Sequence, residues 1–246
     1  MNEETKRKMI RNYFKPFPKW AIWMLLIGVI VFFIGISAHT VGAIAFGLII
    51  FVIGVVGIVS YSQGKPTDQQ IDEWFEEDKK MLEKVALDRL GTVEEEAIKE
   101  PLTLCKPIYW GVEGIHPDDI MLKKGKDGFT RFSIWDVAIF HLTDKYLGSF
   151  KATFNFLNGK TVNEHTEEFF YKDIVKVGTA QESVILKNGT KITDAASFVL
   201  KVSSGDSIFV RDITFRLEEK GTKVIPTSPI GKTIQAIRTM VREKKT

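Results

Sequence analysis

Between Trp20 and Gly64 the chain carries no Asp, Glu, Lys or Arg, and the only side chain there that titrates near neutral pH is His39, close to the middle. One helix needs roughly 20 apolar residues to cross a ~30 Å hydrocarbon core, and this run has room for two. Its polar cluster, Ser37-Ala38-His39-Thr40, marks the break. The pattern predicts spans from about Trp20 to Ser37 and from about Val41 to Ser60, joined in a tight hairpin.

Within the hairpin, Gly28 and Gly35 are seven residues apart, as are Gly47 and Gly54, and Ala43 with Gly47 makes a small-xxx-small step. Such spacing places each pair on one helix face, where backbones can approach closely, so Gly28, Gly35, Ala43, Gly47 and Gly54 are expected at helix–helix contacts. Lys and Arg flank the hairpin only outside its turn, which predicts that both termini are cytoplasmic, and Trp20, Trp23 and Tyr61 fall at one membrane face as an aromatic belt.

After the hairpin the period stays helical. Thr67 or Asp68 caps a predicted helix that runs to about Leu90, with Gly91 as its stop and Ile71, Trp74, Phe75, Leu82 and Val85 as its apolar stripe. It is expected as a spacer or packing helix. A short second helix is predicted from Thr92, which has capping-box spacing with Glu95, to just before Pro101.

From about Leu102 apolar and polar positions alternate. Tyr146, Phe150, Ala152, Phe154 and Phe156 share one parity while Ser149, Lys151, Thr153 and Asn155 share the other, the pattern of a half-buried strand. Asn158-Gly159 and Asn188-Gly189 signal hairpins. Further strands are expected over Phe132 to Leu142, Glu168 to Tyr171 with Ile174 to Val177, Phe198 to Val202 and Ser207 to Leu217. Ser228-Pro229 then opens a final amphipathic helix with Ile230, Ile234, Ile237 and Val241 on one face and Lys232, Gln235, Arg238 and Arg242 on the other.

The run from Phe140 through Asp144 to Leu147, the later Tyr171-Lys172-Asp173-Ile174-Val175-Lys176-Val177 and the order of elements up to the terminal helix resemble bacterial pleckstrin-homology-like and GRAM-like domains. The resemblance covers about Ile134 to Lys244. It implies a curved antiparallel sheet of about seven strands, capped by the C-terminal helix. The expected architecture is therefore a membrane α-helical hairpin plus a β-rich (α+β) domain: a basic segment over 1–19, the hairpin over 20–64, a helical linker over 65–101 and the pleckstrin-homology-like domain over 102–246.

Composition refines this picture. The 246 residues hold 34 Lys and Arg against 31 Asp and Glu, a net charge of +3, but six of the basic residues lie in the first nineteen positions. Of these, Lys6, Arg7, Lys8 and Arg11 are expected as membrane-proximal charges attracted to anionic lipid, which is a more natural partner than nucleic acid. A single cysteine, Cys105, excludes an intrachain disulfide, and the four scattered histidines show no zinc spacing, so no metal or cofactor is expected.

Lys123, Lys124, Lys126 and Arg131 surround Gly125-Asp127-Gly128 and resemble the basic hairpin with which some pleckstrin-homology domains grip lipid headgroups; a solvated turn is the simpler alternative. Ile230-Gly231-Lys232-Thr233 imitates the end of a phosphate loop, but the position that needs an early glycine is Pro226, so a helix cap is expected instead. His141 is expected as a strand residue with its ring satisfied locally. No catalytic constellation is legible: His116, His141 and His165 are dispersed, and Asp118-Asp119 and Glu167-Glu168 are adjacent pairs that project apart.

These features lead to the expectation of a non-catalytic, membrane-anchored binding or scaffold protein. It would sit in a bacterial inner membrane and engage lipid, a protein partner or its own copies. The alternative is an effector or channel-like subunit whose hairpins assemble into a pore under control of the soluble domain.

Overall fold

A computed structural model describes residues 1–91, 100–180, 183–185, 191–193, 197–205, 207–211, 221, 223–224 and 230–245. The chain divides into two units, Met1–Thr67 and Asp68–Thr246.

The first unit opens with a helix the hydropathy pattern had not suggested, α1 (Glu3–Phe14). The Asn2 side chain accepts from the Glu4 N–H, Glu3 and Glu4 complement the helix dipole, and Pro16 and Pro18 follow its end. Ile10, Tyr13 and Phe14, spaced i, i+3, i+4, are buried. Then come α2 (Lys19–Ser37) and α3 (Val41–Ser62), both long and apolar enough to cross a membrane. Three residues join them, with His39 at φ 52° and the Thr40 N–H bonded to the Gly35 carbonyl.

Glycines make the α2–α3 seam. A Cβ on Gly28 would lie 2.6 Å from the Phe51 nitrogen and 2.9 Å from the Gly47 oxygen; one on Gly47 would lie 2.6 Å from the Phe32 nitrogen and 2.9 Å from the Gly28 oxygen. Gly35 meets Ala43 and Ile44 in the same way, and Gly54 meets Ala21 and Leu25. Only Ala21, Gly28, Gly35, Gly47 and Gly54 are buried along the two helices, whereas side chains such as Ile30, Phe33, Ile34 and Phe46 point outward. At the open end Tyr61 packs edge-on to Phe17 and donates to the Lys15 carbonyl, with the Lys65 ammonium 3.3 Å above its ring.

The second unit begins with α4 (Asp68–Leu90), which Gly91 ends at φ 63°. Beyond it, the short helix expected from Thr92 lies outside the described residues. A four-stranded sheet follows, ordered β1 (Leu102–Ile108), β4 (Ile134–Leu142), β5 (Tyr146–Asn155), β6 (Lys160–Phe170), antiparallel throughout. Pro107 sits in β1, an edge strand, where a missing N–H costs no ladder bond. A hairpin of β2 (Leu122–Lys124) and β3 (Phe129–Phe132) forms a smaller sheet with β12 (Lys223–Val224), which runs parallel to β3. β7 (Ile174–Ala180), β10 (Ser197–Val202) and β11 (Ser207–Arg211) form a third sheet, and β8 (Ser183–Ile185) pairs with β9 (Lys191–Thr193). The Asn188-Gly189 turn between that last pair lies outside the described residues. The final helix, α5, spans Ile230–Lys245.

Strands and helices thus make an α+β arrangement. It differs from a single seven-stranded sheet: the described residues hold twelve strands in four sheets, the largest of four strands. The four-stranded sheet is also covered on both faces. On one, α4 packs Phe75 against Trp135 and Phe156, with ring centroids 4.5 and 5.6 Å apart, and sets Leu90 against Gly148. On the other, Phe140, Leu142 and Leu147 join Ile174 of β7, Leu200 of β10 and Ile237, Met240 and Val241 of α5 in one core. The polar parity of β5 is therefore not a solvent face: Ser149, Thr153 and Asn155 are buried. Likewise α4 is a layer of this unit rather than a separate linker.

Candidate functional site

The β2–β3 hairpin forms where the basic cluster was expected. Lys124 pairs with Thr130 and Lys123 with Arg131, and the turn closes through the Gly125 N–H to the Phe129 carbonyl, with Gly128 at φ 86°. Its cations do not act together. Lys124 and Lys126 are exposed, while the Arg131 side chain is only 4 % exposed and turned onto carboxylates.

Arg131 Nε and Nη2 each donate at 2.7 Å to the two oxygens of Asp72, Nη1 and Nη2 donate to Asp127 at 3.0 and 2.6 Å, and Asp68 stands 3.9 Å away. This is fork geometry on both sides of a planar guanidinium. Hydrogen bonding to Arg131 holds the Asp127 carboxyl below its ordinary range. Arg131 therefore ties the start of α4 to the hairpin and is withdrawn from the lipid-binding set; Lys123, Lys124 and Lys126 remain as a basic turn.

The N-terminal charges are corrected in the same way. Lys8 and Arg11 are exposed, but Lys6 and Arg7 are buried in α1, and Arg7 pairs with Glu3 at 2.5 Å.

His141 differs more sharply. It lies on the α4 face of β4, opposite Gly148, is fully buried, and neither ring nitrogen has a hydrogen-bond partner. Burial pushes its pKa below the ordinary value of 6.5; the Glu83 carbonyl opposes this in part without reaching hydrogen-bonding geometry. Nearby, Thr103 Oγ1 donates to Glu83 at 2.5 Å. Cys105 is buried on the same sheet, and desolvation raises its thiol pKa to about 12, which leaves it without nucleophilic thiolate.

The adjacent acidic pairs serve structure or solvent. Asp119 accepts from Asn155 Nδ2 at 2.8 Å and its carbonyl accepts from Ser133, while Glu167 and Glu168 occupy the edge strand β6. His116 accepts from the Asp118 N–H of its own turn. Among the described residues no group of three His, Cys, Asp or Glu side chains is placed to hold a metal. Gly231 and Lys232 do lie in the first turn of α5, and position 226 lies outside the described residues.

One convergence escaped the sequence pattern: Lys176 of β7 lines a groove with Arg238 and Arg242 of α5. The two arginines were legible as one polar helix face, but nothing in the sequence places Lys176 beside them. No protein-family model, curated protein or solved structure matches this chain, so its chemistry is carried by the side chains described above.

Proposed function

We propose that this is a membrane-anchored, non-catalytic binding or scaffold protein. In it α2 and α3 cross a bacterial inner membrane with both termini cytoplasmic, and the tethered β-rich domain, pleckstrin-homology-like in plan, engages an anionic lipid, a protein partner or a second copy. One observation carries the proposal: the hairpin buries Gly28, Gly35, Gly47, Gly54 and Ala21 and turns its bulky aliphatic and aromatic side chains outward. Two helices of this kind would expose an aggregation-prone apolar surface in water, whereas hydrocarbon is a natural solvent for it. The tryptophans Trp20 and Trp23, more than half exposed at the start of α2, suit an interfacial belt.

A pore built through the glycine faces has less support, because the backbones of α2 and α3 already fill those faces within one chain. Thiol labelling in intact cells tests the topology. With a membrane-impermeant reagent, Ala38→Cys should react while Asn2→Cys and Ser203→Cys stay protected; the buried native Cys105 provides a silent background. Labelling at Ser203→Cys in sealed cells would overturn the topology. Release of the protein from membranes by alkaline carbonate would overturn the anchor.

A further inference from the structure

Two half-exposed aromatic side chains follow β1. Tyr109 and Trp110 are 39 % and 41 % exposed, their rings edge to face with centroids 4.9 Å apart. The Tyr109 ring also lies 6.3 Å from that of Phe132, which is buried. On β2, Leu122 is directly opposite Phe132 and is 60 % exposed. Residues opposite each other on an antiparallel pair share a face, so Phe132 is the common neighbour that sets Leu122 and the aromatic pair into one apolar patch. Lys106, engaged with Asp136 at 2.7 Å, stands 5.9 Å from the Trp110 ring.

The patch continues into the hairpin turn. Lys124 shares the Leu122 face of β2, and both it and Lys126 are exposed, while Asp127 in the same turn is held by Arg131. The Lys126 N–H donates at 2.7 Å to Asp68, the first residue of α4. Residues 63–67 alone separate α3 from α4, and the fully extended path from Ser62 to Asp68 is at most about 22 Å. Where α3 ends at a membrane surface, covalent geometry therefore keeps the turn near that surface.

We propose that this patch docks on the lipid bilayer, with Tyr109, Trp110 and Leu122 entering the headgroup region and Lys124 and Lys126 meeting anionic phosphates. Trp and Tyr join an apolar ring to a polar tip, and Lys extends an apolar stem beneath its charge, which suits the graded polarity of that region. Three apolar side chains are too few for the roughly 800 Å² per partner that a stable protein interface buries. They suffice for lipid, because the tether supplies a high effective concentration at the bilayer and little further affinity is needed. The inference rests on the reading of α2 and α3 as membrane spans and names the surface through which the second unit meets lipid.

A nitroxide on Gly111→Cys reports the depth of the patch. A Cβ at that position meets no atom within 4 Å, so Trp110 keeps its place, and the native Cys105 is buried. Full-length protein, one copy per nanodisc of phosphatidylcholine with phosphatidylglycerol, is probed with oxygen, which concentrates in lipid, and with a water-soluble nickel chelate. The label at 111 should collide more with oxygen, and a label on the exposed Ser203→Cys more with nickel. Tyr109→Ser with Trp110→Ser should return the 111 label to nickel, Trp110→Phe should keep it on the oxygen side, and Lys124→Gln with Lys126→Gln should make it shallower in these discs but not in pure phosphatidylcholine. Nickel access at 111 equal to that at 203 would overturn the proposal. So would protection from both probes that appears only with two copies per disc, since a second copy would then cover the patch. A third label, on Ile30→Cys at the outward face of α2, separates the two readings. Oxygen preference at 30 with nickel preference at 111 loses only the docking patch, whereas nickel preference at both loses the anchor as well. Circular dichroism of each variant confirms the fold.

Discussion

At the scale of single residues, the most consequential side chains are buried polar ones. Arg131 carries a full charge in a nearly dry position and is stabilised by Asp72 and Asp127. Removing one partner of such a cluster leaves uncompensated charge, so Arg131→Ala should destabilise the protein by about 3 kcal/mol, the lower end of the range because both aspartates keep access to water. Equilibrium unfolding in urea measures it. His141 should give a pH dependence of definite sign. The unfolded chain takes up a proton near 6.5 and the folded one only at lower pH, so the unfolded state binds more protons in between. Stability should be complete above about pH 6.5 and fall as pH drops below it. The thermal midpoint of the detergent-solubilised protein, compared at pH 7.5 and 5.5, should show the drop, and His141→Leu should flatten it.

At the scale of elements, the glycine seam and the α5 cap make separate predictions. Gly47→Leu drives a side chain into the Phe32 backbone and should weaken the hairpin by about 1–3 kcal/mol, whereas Gly42→Leu meets open space and serves as the control. Thermal unfolding in detergent separates the two. Ile237 is fully buried in the core shared by six sheet strands and α5, so Ile237→Ala should cost about 2–5 kcal/mol. These elements were legible in the sequence because their signal is local: an uncharged run, heptad-spaced glycines, a 3.6-residue stripe. The rest was hidden for physical reasons. α1 has a cap and an i, i+3, i+4 apolar triplet, but its many charges masked them as a solvated segment. Most of β6 is an edge strand, polar on both faces, and so lacks alternation. The burial of Ser149 and Asn155 depends on layers contributed from distant parts of the chain. The engagement of Arg131 likewise depends on Asp72, 59 residues earlier in the chain.

For the molecule as a whole, two units of different character share one chain: a helical hairpin with its apolar side chains outward and a β-rich domain with them inward. The turn between α2 and α3 is three residues long, and His39 adopts a left-handed conformation to make it. That brevity bears on biogenesis. In the topology proposed above, inserting α2 alone would carry every residue after it across the bilayer, including the charged second unit, while inserting α2 and α3 as a closed pair would translocate only Ala38, His39 and Thr40. Two of those are polar and none carries a fixed charge, so the energetic barrier is that of one small loop. Membrane insertion should accordingly begin only after α3 has left the ribosome, and nascent chains stalled before Val41 has emerged should remain extractable by carbonate, while chains stalled well beyond Ser62 should not.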